Sequence, residues 1–160
     1  MLVQLAIRNI VLIDRLDLAF GPGLTVLTGE TGAGKSILLD AFALALGSRG
    51  DGSLVRAGEA QGQVTAVFDL PSDHPARRVA AAQDIAVDGE LILRRLQFAD
   101  GRTRAFVNDE PVSLQAMRAI AHEIVEIHGQ HDERALVDSA SHRALVDAYG
   151  GLRDQVQAVR

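Results

Sequence analysis

Residues Gly29-Glu30-Thr31-Gly32-Ala33-Gly34-Lys35-Ser36 satisfy the pattern G-x-x-x-x-G-K-[ST] at every constrained position. Few eight-residue stretches restrict a fold as strongly. The glycines let backbone N–H groups turn inward around phosphate oxygens, and a helix beginning near Lys35 aims the positive end of its dipole at them. The flanks agree: Leu24-Thr25-Val26-Leu27-Thr28 reads as a short, continuously apolar strand suited to a sheet centre, and Lys35 to Leu46 as a helix stopped by Gly47. The expected ligand is ATP with Mg²⁺. Lys35 reaches the β- and γ-phosphates, the Ser36 hydroxyl ligates the metal, and Ile37 closes the binding set. Lys35 is also the only lysine among 16 basic residues. A site that needs a compact ammonium rather than a planar guanidinium accounts for that exception; coding bias is the plain alternative.

Outside this loop the chain reads as one α/β domain. Its 160 residues suffice for a core, and 48% apolar with 23% charged residues excludes a disordered tail. No apolar run approaches the roughly 18 residues of a membrane helix, and Arg8-Asn9 interrupts any signal-peptide pattern, so no membrane partner is expected. With no cysteine, thiolate metal sites and cysteine nucleophiles are excluded. A net charge of −5 advertises no overall affinity for nucleic acid, so any DNA contact must be local.

Strands are expected over Leu2–Ile7, Ile10–Ile13 and Leu16–Phe20, then Val64–Leu70, Glu90–Phe98 and Thr103–Val107. The last two flank an Asp100-Gly101 hairpin turn. Pro75–Gln83 suits a short helix capped by Asp73, and Ser113 caps a helix over Leu114–His122. Ile124–His128 reads as a second core strand. Leu145, Tyr149, Leu152, Val156 and Val159 then follow a heptad rhythm that fits a coiled coil or an ordinary amphipathic helix, with a break expected at Gly150-Gly151. The rhythm is still running at Arg160, as if the chain were cut there.

Read from the residues alone, His128-Gly129-Gln130-His131-Asp132 could be a metal site or a polar loop. Asp69 ends an apolar strand but is followed by Leu70-Pro71 and no glutamate. It is therefore a poor candidate for the acid that holds Mg²⁺ opposite a phosphate loop.

The stretch Leu24–Ala41, preceded by Leu5-Ala6-Ile7-Arg8-Asn9, resembles the start of an SMC-type ATPase head. Arg104-Ala105-Phe106-Val107-Asn108 and above all Glu126–Asp132 narrow the resemblance to the RecN family of bacterial SMC-like DNA double-strand-break repair proteins. It covers essentially the whole chain but only the N-terminal half of that family's head. It implies an α/β P-loop fold with a mixed sheet and an antiparallel β lobe over residues 61–110. Residues 1–139 would form the half-head, and residues 140–160 a helix leading toward a coiled coil.

The resemblance also implies that Gln130 is the Q-loop residue acting on Mg²⁺ and the attacking water, and that Glu126 is no Walker B acid. Arg8, Asn9 and Arg56 would approach the nucleotide, although Arg56 also reads as a solvated loop residue. The implied partners are the C-terminal half of the same head, which carries the signature motif and Walker B pair, a second head, and DNA. The implied location is the bacterial cytoplasm, at the nucleoid. Two other classes stay open: a self-contained P-loop kinase or small NTPase, and a non-hydrolysing nucleotide sensor. RecF-like heads are the nearest rivals within the favoured class.

Overall fold

The computed structural model describes residues 1–29, 34–127, 146, 147, 149, 150 and 152. The chain divides into two compact units, Met1–Glu126 and Ile127–Arg160.

The first unit is built on one six-stranded sheet, ordered β2-β1-β3-β4-β5-β6. Its strands are β1 (Leu2–Ile10), β2 (Ile13–Ala19), β3 (Gln61–Phe68), β4 (Leu91–Phe98), β5 (Thr103–Val107) and β6 (Glu110–Val112). Every pairing among the described residues is antiparallel. The helices are α1 (Lys35–Ala45), α2 (Pro75–Ala81) and α3 (Leu114–His122). The sheet is two-faced, as antiparallel sheets commonly are. Leu5, Ile7, Val64, Ala66, Phe68, Leu91, Leu93, Ala105 and Val107 point inward and are buried. α1 packs against β1, β3 and β4, and α3 against β5.

The lobe expected over 61–110 is present, and β1 and β2 extend the same sheet. Four local expectations are corrected. Ile10–Ile13 is not a strand: Val11 takes φ 49°, and its N–H donates to Leu54 O at 2.9 Å, turning the chain from β1 into β2. The strand placed at Val64–Leu70 runs from Gln61 to Phe68. The cap of α2 is His74, whose Nδ1 accepts from Ala76 N at 3.2 Å, rather than Asp73.

The largest correction concerns the two core strands. Leu24–Thr28 and the described part of the second, Ile124–Ile127, are not strands. Leu24, Val26 and Leu27 are 93, 69 and 48% exposed. A continuously apolar strand is stable only between neighbours that cover both faces, and no described strand pairs with either stretch. Ile124 and Val125 still rest against the core.

Arg77 ties the lobe's loops together. It donates to Pro71 O, Val87 O, Leu70 O and Gly89 O at 2.5 to 2.9 Å, joining the segment before α2 to the one before β4. Arg77→Ala strands several of these carbonyls and should cost about 2–3 kcal/mol. Urea denaturation measures this, and a loss under about 0.5 kcal/mol would show the contacts to be incidental.

In the second unit, residues 146, 147 and 149 are helical and Gly150 lies in a turn, at the break expected there. Leu145, Val156 and Val159 of the heptad stretch, and the boundary at residue 139, lie outside the described residues.

Candidate nucleotide-binding site

The start of α1 is shaped for an anion. Gly34 is its N-cap, at φ 86° and ψ 3°, a left-handed conformation that strains any side chain bearing Cβ. Among the described residues no side chain caps the helix and no acidic residue lies in its first turn, so none of their carboxylates competes for the first N–H groups. A Cβ built on Gly34 would meet none of the described residues within 4 Å. Lys35 is half-buried, and its Nζ donates to Gly29 O, linking the two ends of the phosphate loop. Ser36 is exposed and Ile37 half-buried. The helix is anchored by Ala41, Leu44 and Ala45, all buried, and by Phe42, whose ring centroid lies 6.4 Å from that of Phe68 on β3.

Glu30, Thr31, Gly32 and Ala33 lie outside the described residues, as do His128, Gly129, Gln130, His131 and Asp132. Among the described residues no group of three or more His, Cys, Asp or Glu could hold a metal. The hydroxyl of Ser36, exposed at the helix start, is a hard oxygen of the kind Mg²⁺ accepts.

The structure joins two of the remaining candidates and separates the third. Asn9, at φ 52°, accepts from Arg56 N at 3.0 Å. Its Nδ2 donates to Glu59 Oε2 at 3.3 Å, and the Arg56 guanidinium pairs with Asp14 at 3.2 Å. Gly62 permits this corner, since a Cβ there would sit 2.5 Å from Asn9 O. Arg8 belongs to the opposite sheet face. Leu5 and Ile7 point inward toward the α1 side, so Arg8 points outward, where β2 engages it. It donates to Leu16 O at 3.0 Å and to Asp17 Oδ1 at 2.6 Å. The Arg8 hydrogen bond holds the Asp17 carboxyl below its ordinary range. Asp69, dismissed as a metal acid, is exposed, and its carbonyl accepts from the chain's amino terminus.

Sequence reading missed the braces behind α1. Arg95 and Gln97 are buried on the inward face of β4. Arg95 Nε donates to Thr103 Oγ1, and burial, then the nearby Arg118 charge, pushes the guanidinium down to about 10. Gln97 Nε2 donates to Arg102 O at 3.0 Å, while Arg118 Nε donates to Gly47 O at 2.5 Å. The loop after α1 is thereby pressed onto the β4–β5 hairpin: a Cβ on Gly50 would lie 2.7 Å from Gln97 Oε1, and one on Gly52 2.3 Å from Ala99 O. The adjacent pair Arg94-Arg95 hides this in the sequence, because only strand register decides which arginine is buried. An open cleft of about 550 Å³ lined by Thr103, Arg104, Phe106, Pro111 and Leu114 includes none of the expected nucleotide residues.

The AAA domain family model matches residues 4–130. The chain is 42% identical over 152 residues to the DNA repair protein RecN of Bacillus subtilis (strain 168), covering 94% of this chain and 26% of that protein. Against RecN of Vibrio cholerae serotype O1 it is 38% identical over 160 residues, covering 100% of this chain and 29% of the relative. It thus spans under a third of the length of these relatives. Among solved structures, it matches a chain from work on ATP-driven dimerization and DNA-stimulated activation of SMC ATPases. That match has TM-score 0.65 and 18% identity over 91% of this chain and 97% of the other. The SMC head domain of Thermotoga maritima matches with TM-score 0.58 and 20% identity over 74% of this chain and 41% of the other. At such identities the likeness establishes the fold, that of an SMC-type P-loop head.

Proposed function

The chain belongs to the AAA domain family, and from that premise we propose that it is the ATP-binding half of an SMC-like head acting in DNA double-strand-break repair. The carrying observation is the phosphate loop opening α1, with Gly34 left-handed, the helix uncapped and Lys35 joined to Gly29 across the loop. The similarity to RecN proteins supplies the repair context.

In this reading the first N–H groups of α1 and the Lys35 ammonium bind the β- and γ-phosphates, while Ser36 and Gln130 hold Mg²⁺. The metal, when bound, neutralises charge on the transferring phosphoryl group. Gly29, Glu30, Thr31, Gly32, Ala33 and Ile37 complete the cradle. Asn9 and Arg56 approach the nucleotide from the end of β1. Arg8 acts only indirectly, through β2. Residues 1–139 form the half-head and 140–160 lead toward a coiled coil.

Phosphoryl transfer is catalysed by positioning and charge stabilisation, and no residue of this chain is credible as the Walker B acid, the water-polarising glutamate or the signature serine. The C-terminal half of the same head would supply them and cover Leu24, Val26 and Leu27. A second head would close the sandwich around ATP. DNA is the partner of the whole protein, and the bacterial cytoplasm its place of work.

The test is reconstitution. This chain alone should hydrolyse no ATP above background; adding the C-terminal half should restore turnover that rises steeply with concentration, since each site needs two heads. Gln130→Ala should leave nucleotide affinity intact and slow that restored turnover. Hydrolysis by the isolated chain, abolished by Lys35→Ala, would instead establish a self-contained NTPase.

A further inference from the structure

The sheet face turned away from α1 and α3 carries a charge pattern that the chain's overall acidity conceals. By strand alternation and register it presents Arg15 and Asp17 of β2, Arg8 of β1, Gln63 and Thr65 of β3, Arg94 and Phe98 of β4, and Arg104 and Phe106 of β5. On these strands the face carries four arginines and one aspartate, within a chain of net charge −5. Arg102, in the β4–β5 turn, adds a fifth cation.

The cations are organised by aromatic rings. The Arg94 guanidinium lies 4.4 Å from the centroid of Phe106, and Arg102 and Arg104 lie 5.4 and 5.9 Å from that of Phe98. A guanidinium resting on a ring keeps its N–H donors in its own plane, where they remain able to grip an anion. Arg94 directs one nitrogen to Asp109, and Arg102 one to Asp100. Arg104 makes no ion pair among the described residues.

We propose that this outer sheet face, centred on Arg94, Arg104, Phe98 and Phe106, is where the chain contacts the phosphodiester backbone of DNA. This rests on the DNA-repair reading above. From β2 to β5 the arginines span four interstrand spacings, about 19 Å. A row of that length matches successive phosphates along a strand better than the isolated carboxylates of a peptide. Phe98 and Phe106 are half-buried and hold the guanidiniums of Arg94, Arg102 and Arg104 in place on the face.

The experiment is fluorescence anisotropy with a short labelled duplex and its single strand, titrated with the 160-residue chain at increasing KCl. Arg104→Glu should weaken binding at least tenfold and flatten the salt dependence, and Arg104→Lys should retain most affinity. Arg78→Glu, the same charge change on exposed α2, should stay within about twofold of wild type. Loss of duplex binding, single-strand binding or both on Arg104→Glu supports the proposal. Equal losses for Arg104→Glu and Arg78→Glu, or no DNA binding by the wild-type chain, overturn it. A fluorescent ATP analogue titrated into the same preparations separates the two readings. If ATP binds and DNA does not, only the DNA surface falls; if wild type binds no ATP, the nucleotide reading falls.

Discussion

Lys35→Ala should lower affinity for Mg·ATP by at least about a hundredfold. The ammonium is the one cationic side chain the sequence places in the phosphate loop. Hydrogen bonds to charged groups contribute about 1.5–3 kcal/mol each, so losing contacts to two phosphates removes about 3–6 kcal/mol. At about 1.4 kcal/mol per tenfold, that is two to four orders of magnitude. The substitution should leave the fold intact, because α1 is held by Ala41, Leu44 and Ala45 rather than by residue 35. Lys35→Arg should be nearly as damaging, since a planar fork does not occupy the space of an ammonium. Calorimetric titration decides it: a folded Lys35→Ala chain binding Mg·ATP normally would end the phosphate-loop assignment.

Phe68→Ala should be the most destabilising single truncation, costing about 3–5 kcal/mol. The ring is fully buried at the end of β3, with Phe42 of α1 packed beside it. Residue 68 pairs with Leu2 on one side and Leu91 on the other, so little can collapse into the void without moving three strands. Such a loss is a large share of a domain's usual 5–15 kcal/mol. Because the cavity opens under α1, nucleotide affinity should fall as well. A chemical-denaturation midpoint shifted by less than about 1 kcal/mol would mean the core is far more plastic than its packing suggests.

What the sequence revealed followed the range of the forces involved. Local chemistry was readable: Gly47 ends α1, Ser113 accepts from Ala116 N to cap α3, and Asp100-Gly101 turns the β4–β5 hairpin. So were the strands on either side of that turn, expected over Glu90–Phe98 and Thr103–Val107 and found over Leu91–Phe98 and Thr103–Val107. Expectation failed where the outcome depends on a distant neighbour. Leu24–Thr28 has the composition of a central strand, yet strand formation needs partners that composition cannot supply. Val11 is β-branched and was read as extended, but the Leu54 carbonyl holds its N–H in a turn. His74 displaced Asp73 as a cap because the imidazole, one residue nearer the helix, reaches Ala76 N. Of the site residues, the helix-borne ones could be placed from the motif alone. The separation of Arg8 from Asn9 and Arg56 required strand register.

The exposed ribbon Leu24–Leu27 leads directly into Gly29, whereas Gly34 is fixed to the packed helix. The phosphate loop thus joins one end set in a packed helix to a second end, tied to Lys35 at Gly29, whose preceding ribbon is uncovered among the described residues. Whatever pairs with the ribbon fixes the second end and makes the loop's geometry cheaper to adopt for a triphosphate. Thermodynamic linkage makes this reciprocal: if the covering surface tightens nucleotide binding by some factor, nucleotide tightens the covering surface by the same factor. On the proposed function, nucleotide affinity in this chain would therefore double as a gauge of how completely the ribbon is covered.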